Sequence, residues 1–220
     1  MGMTSLVMGA TGLVGRHVTE ELLSREGIDE VRLLVRRPPD IVHPKLTVIQ
    51  TDWDKLEQYE DAFTGVHSVF SCLGTTIKKA GSQKQFRKVD LEYVLAGAKL
   101  AKGAQVGQFL AVSSVGADPK ARTFYSRVKG EMEEELCRLR FQGLHLFRPS
   151  LLLGNRDESR LGEGVASVLM TKLDFAFKGR LAPYRAVPAV KVAKSMVNIS
   201  MTDTRGNHIY PNEVIHVLGE

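Results

Sequence analysis

No apolar run in this 220-residue sequence approaches the ~20 residues that a helical membrane span requires. The first β-rich run starts within a few residues of Met1, so no signal peptide is expected. A cytoplasmic protein without membrane contact is the expectation. There are two cysteines, Cys72 and Cys137, both inside apolar runs. With no C-x-x-C and no His/Cys cluster, they predict reduced, buried thiols and no metal site. Aromatic residues are scarce at 7%, and only Phe86 lies near the densest basic stretch, Lys78, Lys79, Lys84, Arg87 and Lys88. A base-stacking nucleic-acid surface is therefore not expected, even at a net charge of +5. A solvated face or the rim of a site for a phosphorylated cofactor is the better use of that charge. None of the six histidines stands at a recognisable spacing from a Ser or Cys, and His17 and His145 fall on predicted core elements. There is no internal repeat and no low-complexity segment.

What is present suits one globular domain, residues 1–220, at 43% hydrophobic and 25% charged. Short, nearly continuous apolar runs at residues 5–8, 31–35, 46–50, 68–72, 109–113 and 144–149 read as strands. Helices are expected between them at 13–23, at 54–63 with Asp54 as its cap, at 82–102 and at 124–139. The inner stripe of the third of these is expected to be Phe86, Val89, Tyr93, Val94 and Ala98. Apolar strands alternating with helices predict an α/β fold: a Rossmann-like, doubly wound parallel sheet covered on both faces. After Pro149 come a polar loop through residue 160, helices at 163–177 and 190–201, a strand at 208–210 and a closing turn at 213–217. Residues 151–220 are expected to form a small substrate cap over the carboxyl ends of the strands, where such sheets bind ligands.

The chemistry begins at Gly9-Ala10-Thr11-Gly12-Leu13-Val14-Gly15, between the first strand and the first helix. Strand, glycine turn and helix form the context of a phosphate-binding turn. Gly9 permits the tight turn, Gly12 lets backbone approach a pyrophosphate, and Gly15 lets helix lie close to strand. Phosphates then meet free N–H groups and the positive end of the helix dipole. The spacing is G-x-x-G-x-x-G, and no Gly-Lys-Ser/Thr follows, so it is not a P-loop. Arg36 stands at the end of the second strand, 21 positions beyond Gly15, and Arg37 follows it. An NAD site usually has an acidic residue there for the ribose hydroxyls, whereas two arginines favour a 2′-phosphate.

Tyr125 and Lys129 are four apart on a predicted helix, hence one turn apart on one face. An ammonium beside a phenol stabilises the phenolate, which makes Tyr125 a usable general acid/base for a carbonyl or alcohol. Ser113-Ser114 closes the fifth strand, and Ser114 is eleven residues before Tyr125. A hydroxyl there can hold a substrate oxygen beside the phenol.

Together these residues resemble the short-chain dehydrogenase/reductase superfamily, with Ser114, Tyr125 and Lys129 matching its catalytic Ser-Tyr-Lys. Further motifs resemble one atypical subfamily, the small Tat-interacting-protein-like oxidoreductases and their bacterial relatives. They are Cys72-Leu73-Gly74-Thr75-Thr76, Val89-Asp90 with Tyr93-Val94-Leu95, Gly116-Ala117-Asp118, Val128-Lys129-Gly130-Glu131, Phe147-Arg148-Pro149, Arg156-Asp157-Glu158-Ser159-Arg160 and Ile215-His216. The resemblance implies NADP(H) as cofactor. It implies that the turn Gly9, Thr11, Gly12, Leu13, Val14 and Gly15 holds it, with Asp52 near the adenine. It implies Leu73, Gly74 and Thr75 near the ribose and pyrophosphate, and Pro149 to Leu151 beside the nicotinamide. The superfamily often has a catalytic Asn on the helix before the fifth strand, and the matching position here is Asp90. The expected activity is NADPH-dependent reduction or oxidation of a small carbonyl or alcohol. The alternative is a cofactor sensor read by a regulatory protein partner. The helices flanking the fifth strand are a candidate homodimer face.

Overall fold

Alternation along each strand decides which layer a side chain joins. In β1 (Met3–Met8), Leu6 and Met8 point to one face of the sheet and Val7 to the other. The same split recurs at Leu33 and Leu34 of β2 (Ile28–Val35) and at Phe109 and Leu110 of β5 (Gln108–Val112). Both faces are thus apolar, and both need covering. The computed structural model describes residues 2–154 and 184–220. In it, α1 (Leu13–Ser24) and α6 (Ala189–Ser200) cover the face that carries Val7. A 3₁₀ segment (Trp53–Phe63), α4 (Tyr93–Gly103) and α5 (Phe124–Arg138) cover the other.

The sheet has seven strands in the order β3-β2-β1-β4-β5-β6-β9. All pairs are parallel, and the remaining members are β3 (Leu46–Gln50), β4 (Ser68–Ser71), β6 (Gly143–Arg148) and β9 (Gly206–Pro211). The expected doubly wound parallel sheet is present. Strand order reverses between β1 and β4, which opens a crevice at their carboxyl ends.

The short helix after β3 is capped by Asp52, not Asp54: the Asp52 carboxylate accepts the Asp54 N–H at 3.0 Å. Asp54 instead meets the Tyr93 hydroxyl and the Lys88 ammonium, each at 2.6 Å. The helix expected over 82–102 is a composite. After the short α2 (Ile77–Ala80) come α3 (Gln83–Arg87), one π-turn (Lys88–Glu92) and α4. A π-turn carries one extra residue, so the inward face slips round by one position. Phe86, Val94 and Ala98 are buried as the stripe predicts, but Asp90 and Leu91 take the intervening places. Val89 and Tyr93 are left half-buried. Cys72 and Cys137 are free thiols but half-buried rather than fully enclosed.

The expected loop through residue 160 and the helix at 163–177 lie outside the described residues, except Gly154. Of the stretch expected as a cap, the described part largely extends the sheet. β9 joins it as a seventh parallel strand, and α6 packs on α1. The closing segment is a helix, α7 (Asn212–Leu218), rather than a turn, and Ile215 buries its inner side. Among the described residues, only the two-residue pair β7 (Leu152–Leu153) and β8 (Val187–Pro188) forms a strand pair apart from the main sheet.

His145, in the middle of β6, is fully buried, with Nδ1 3.1 Å from the Tyr210 hydroxyl and its ring stacked on His208. Burial, then the neighbouring His208, pushes its pKa down from 6.5 to about 4. A depressed histidine favours the fold only while neutral. That stability is complete above the unfolded pKa and is lost as pH falls through the folded one. The urea midpoint of wild type should therefore exceed that of His145→Gln by most above pH ~6.5. The gap should narrow as pH falls towards about 4. A gap that does not change with pH would refute the assignment.

Candidate functional site

At the crevice, β1 turns out of the sheet at Gly9, whose φ of +81° lies in the left-handed region. A Cβ there would stand 2.7 Å from the main-chain carbon and oxygen of Cys72. The Cys72 N–H donates to the Met8 carbonyl at 2.8 Å, which locks the end of β4 against the end of β1. At Gly15, in the first turn of α1, a Cβ would lie 2.2 Å from the Gly9 carbonyl oxygen. The helix can start this close to the strand only without a side chain there. Gly12 is the N-cap, contributes no side-chain acceptor, and stands exposed with Thr11 at the tip of the turn. Leu13 and Val14 turn their side chains into the core. The first-turn N–H groups are left to an external acceptor, and the dipole adds positive potential there. A cradle of backbone, closed to any Cβ at two points and uncapped at the helix start, fits a pyrophosphate.

Arg36 and Arg37 follow β2 and are both exposed. The Thr51 N–H donates to the Val35 carbonyl and Gln50 Nε2 to the Arg36 carbonyl, which fixes the backbone from which the arginines project. Asp52 is on the same edge, but one of its oxygens is already committed to capping.

The second half of the site forms around α5. Lys129 is 3% exposed, and its ammonium lies 2.8 Å from Asp90 Oδ1 and 3.4 Å from the Val112 carbonyl. The other Asp90 oxygen accepts the Thr75 N–H at 2.8 Å. One carboxylate thus joins the loop Leu73-Gly74-Thr75 to the helix that carries Tyr125. Burial lowers the Lys129 pKa, but Asp90, then Tyr125 and Glu133, more than reverse this, and the net shift is upward. Tyr125 is 36% exposed and rests against Phe86, ring centroids 5.6 Å apart. Its side chain is thus partly open to solvent, one helical turn from Lys129 and near enough to act on that ammonium's pKa.

Ser114 arrives on a loop pressed onto the same helix. The Asp118 N–H donates to the Ser126 carbonyl, and a Cβ at Gly130 would lie 2.1 Å from the Asp118 carbonyl carbon. Among the described residues, Ser114 and Tyr125 share no hydrogen bond, and the Ser114 hydroxyl donates to the Val115 carbonyl at 3.3 Å. Its neighbour Ser113 is buried, with its hydroxyl unpartnered. Pro149 is buried, and its carbonyl accepts the Val115 N–H; Leu151 is 46% exposed.

Two supporting residues escape a reading by motif. Glu133, buried one turn after Lys129, makes a two-pronged ion pair with Arg148 of β6, which anchors α5. Asn212 accepts the Ser150 N–H and donates to the Arg185 carbonyl, which holds the segment at 149–151 in place. Asp90 was marked in the sequence by the Val89-Asp90 motif and by its match to the superfamily's Asn position, although its partners were not. Glu133 and Asn212 had no such mark. Among the described residues no cluster of three metal-ligating side chains occurs, and no helix is long and apolar enough to cross a membrane.

Residues 9–142 match a family model described as NAD(P)H-binding. The chain is 35% identical to Protein HTATIP2 of Rattus norvegicus, over 97% of this chain and 88% of that protein. It is 32% identical to Protein FMP52, mitochondrial, of Debaryomyces hansenii, over 90% of this chain and 88% of that one. Among solved structures, it resembles the Bordetella bronchiseptica enzyme WbmH in complex with NAD+. That match has a TM-score of 0.72 and 16% identity, and covers 96% of this chain and 75% of the other. It also resembles MoeE5 in complex with UDP-glucuronic acid and NAD, with a TM-score of 0.73, 17% identity, and 94% and 75% covered. At these identities the structural matches speak for the fold alone.

Two substitutions in the turn should separate ligand from fold. At Gly12 a Cβ would meet the Gly9 oxygen at 3.2 Å and the Cys72 oxygen at 3.9 Å, a far looser fit than at Gly9 or Gly15, so Gly12→Val should fold yet lose dinucleotide binding. Gly15→Ala forces backbone apart and should lower unfolding stability by about 1–3 kcal/mol. Fluorescence titration and urea denaturation check the pair. A Gly12→Val protein with wild-type affinity would make the glycines structural only.

Proposed function

This chain belongs to the NAD(P)H-binding family, among the atypical short-chain dehydrogenase/reductases, and on that premise we propose an NADPH-dependent oxidoreductase acting on a small carbonyl or alcohol. The observation that carries the proposal is the buried Lys129 ammonium, one helical turn from a half-exposed Tyr125 and balanced by Asp90. A charge buried this deeply is costly unless paired. Its placement beneath a phenol open to the crevice suits proton transfer.

Main-chain groups of Gly9, Thr11, Gly12, Leu13, Val14 and Gly15 would hold the pyrophosphate. Arg36 and Arg37 would take the 2′-phosphate of NADP(H), as planar donors free to reach solvent. Asp52 would offer its uncommitted oxygen to the adenine amine. Leu73-Gly74-Thr75 would line the ribose side, and Pro149 to Leu151 the nicotinamide. When bound, the nicotinamide supplies the hydride to the carbonyl carbon or takes it from the alcohol.

The chain's own residues manage the proton. In reduction, the Tyr125 hydroxyl gives its proton to the developing alkoxide and becomes a phenolate. Lys129 stabilises that phenolate without leaving its pair with Asp90. Ser114 turns its hydroxyl from the Val115 carbonyl to the substrate oxygen and orients it. In oxidation each transfer runs backwards.

Two measurements test the reading. Arg36→Asp should weaken NADPH binding roughly ten- to a hundredfold and leave NADH unchanged or tighter, because one charge-assisted pair is lost. Equal affinity of wild type for both cofactors would remove the NADPH preference. Tyr125→Phe should lower turnover by about 10²–10⁴-fold on any carbonyl compound that the wild type reduces, with NADPH affinity nearly unchanged. Turnover that survives the change excludes Tyr125 as the acid. NADPH binding without turnover across a broad carbonyl panel would favour the cofactor-sensing alternative.

A further inference from the structure

We propose that the substrate of this site carries an anionic group, a carboxylate or a phosphate, and that the exposed charges of Lys84 and Arg122, on segments to either side of Tyr125, draw it in. The inference rests on the oxidoreductase reading and deepens it by naming a substrate class. Its origin is the basic stretch that neither the cofactor nor the core has absorbed. Residues 76–88 contain five basic residues and no acidic one, and residues 119–130 contain four and again no acidic one. The first segment carries α2 and α3 after β4, and the second joins the loop after β5 to the first half of α5. Phe86 of α3 packs on both Phe124 and Tyr125, with ring centroids 5.6 Å apart in each pair, and Arg87 is paired with Glu131. The two basic segments therefore meet around Tyr125.

Part of this charge is already matched. Arg87 and Lys88 have Glu131 and Asp54, Lys129 has Asp90, and Arg127 donates to the carbonyls of Ala121 and Arg122. Lys78, Lys84, Lys120 and Arg122 are exposed and have no ion-pair partner among the described residues. Their backbone is fixed. Thr76 accepts the Lys79 N–H and Ser82 the Gln85 N–H, each at 3.1 Å, and Asp118 accepts the Lys120 N–H at 2.8 Å. The dinucleotide does not account for these charges. Strand order puts β1 between β2 and β4, with β5 beyond β4. The glycine turn follows β1, and Arg36 and Arg37 follow β2. The groups assigned to the cofactor's phosphates thus lie at β1 and on its β2 side. The unmatched charges lie on the β4 side, which is also the side of Tyr125, the end at which a carbonyl would react. A cleft lined by one sign of charge concentrates ligands of the other sign and speeds their entry about 10–10³-fold, whereas a neutral ligand gains nothing from it.

Matched aldehydes test this at saturating NADPH: para-formylbenzoate against its methyl ester, and para-formylphenyl phosphate against para-methoxybenzaldehyde. The quantity read is the ratio of kcat/KM, anion over neutral, from low to high ionic strength. In wild type the ratio should reach about tenfold or more at low salt for at least one pair, and fall as salt screens the charges. The pair with the larger ratio tells carboxylate from phosphate. Lys84→Glu combined with Arg122→Glu changes two exposed side chains, so the fold should tolerate it. It should lower the ratio roughly tenfold and flatten its salt dependence. A ratio near one, or a ratio that neither salt nor the double reversal moves, overturns the proposal, makes the basic rim a solvated face and leaves the oxidoreductase reading standing. No turnover of these aldehydes or of a broad carbonyl panel overturns that reading, and the substrate class with it.

Discussion

Backbone against backbone at Gly9 is the constraint on which the rest of the site depends. The turn after β1 passes so close to the end of β4 that a single Cβ would displace the Cys72 peptide. That approach holds the crevice shut at its floor, where the strand order reverses. It also sets where α1 begins, since Gly15 lies against the carbonyl of Gly9. The anion cradle is the consequence: a helix start with no side-chain cap, presented at the carboxyl edge of the sheet.

The other half of the site obeys a different constraint, the cost of buried charge. Helix α5 turns two charged residues inward, Lys129 and Glu133, and each finds its opposite on a different element. Asp90 comes from the π-turn before α4, and Arg148 from the end of β6. The helix is thus held in rotation by two ion pairs as well as by Val128, Met132 and Leu136 in the core. With rotation set, Tyr125 keeps a partly exposed place one turn before Lys129. The loop carrying Ser114 is pressed onto the same helix at Gly130. Tyr125, Lys129 and Ser114 therefore belong to one packed unit of helix and loop.

Much of this was legible in the sequence, for physical reasons that differ by feature. Apolar strand runs announce a doubly covered sheet because parallel strands are buried on both faces. The glycine turn announces itself because its requirements are local: two positions closed to any side chain and an exposed glycine between them, set between a strand and a helix. The stripe of the composite helix was legible only in part. A regular 3.6-residue period puts Val89 and Tyr93 inward, and the π-turn turns Asp90 and Leu91 inward instead. The cap at Asp52 rather than Asp54 is a two-residue displacement of the same kind, since either carboxylate satisfies the local pattern.

The sequence by itself determined the class of fold and the place of the glycine turn, and through its family motifs named Ser114, Tyr125 and Lys129 as a candidate set. The turn and the Tyr125–Lys129 pair follow from spacing within a few residues, which survives folding unchanged, and the fold class from the alternation of apolar runs with helices along the chain. The tertiary structure alone decided which charges neutralise which. Asp90 and Lys129 are 39 positions apart, and Ser150 and Asn212 are 62 apart. No periodicity links such pairs, because their meeting depends on the rotation of each helix and the register of each strand. It likewise decided that the chain's last strand belongs to the main sheet. A run as short as that around Ile209 carries no mark of its neighbour until β6 is there to pair with it.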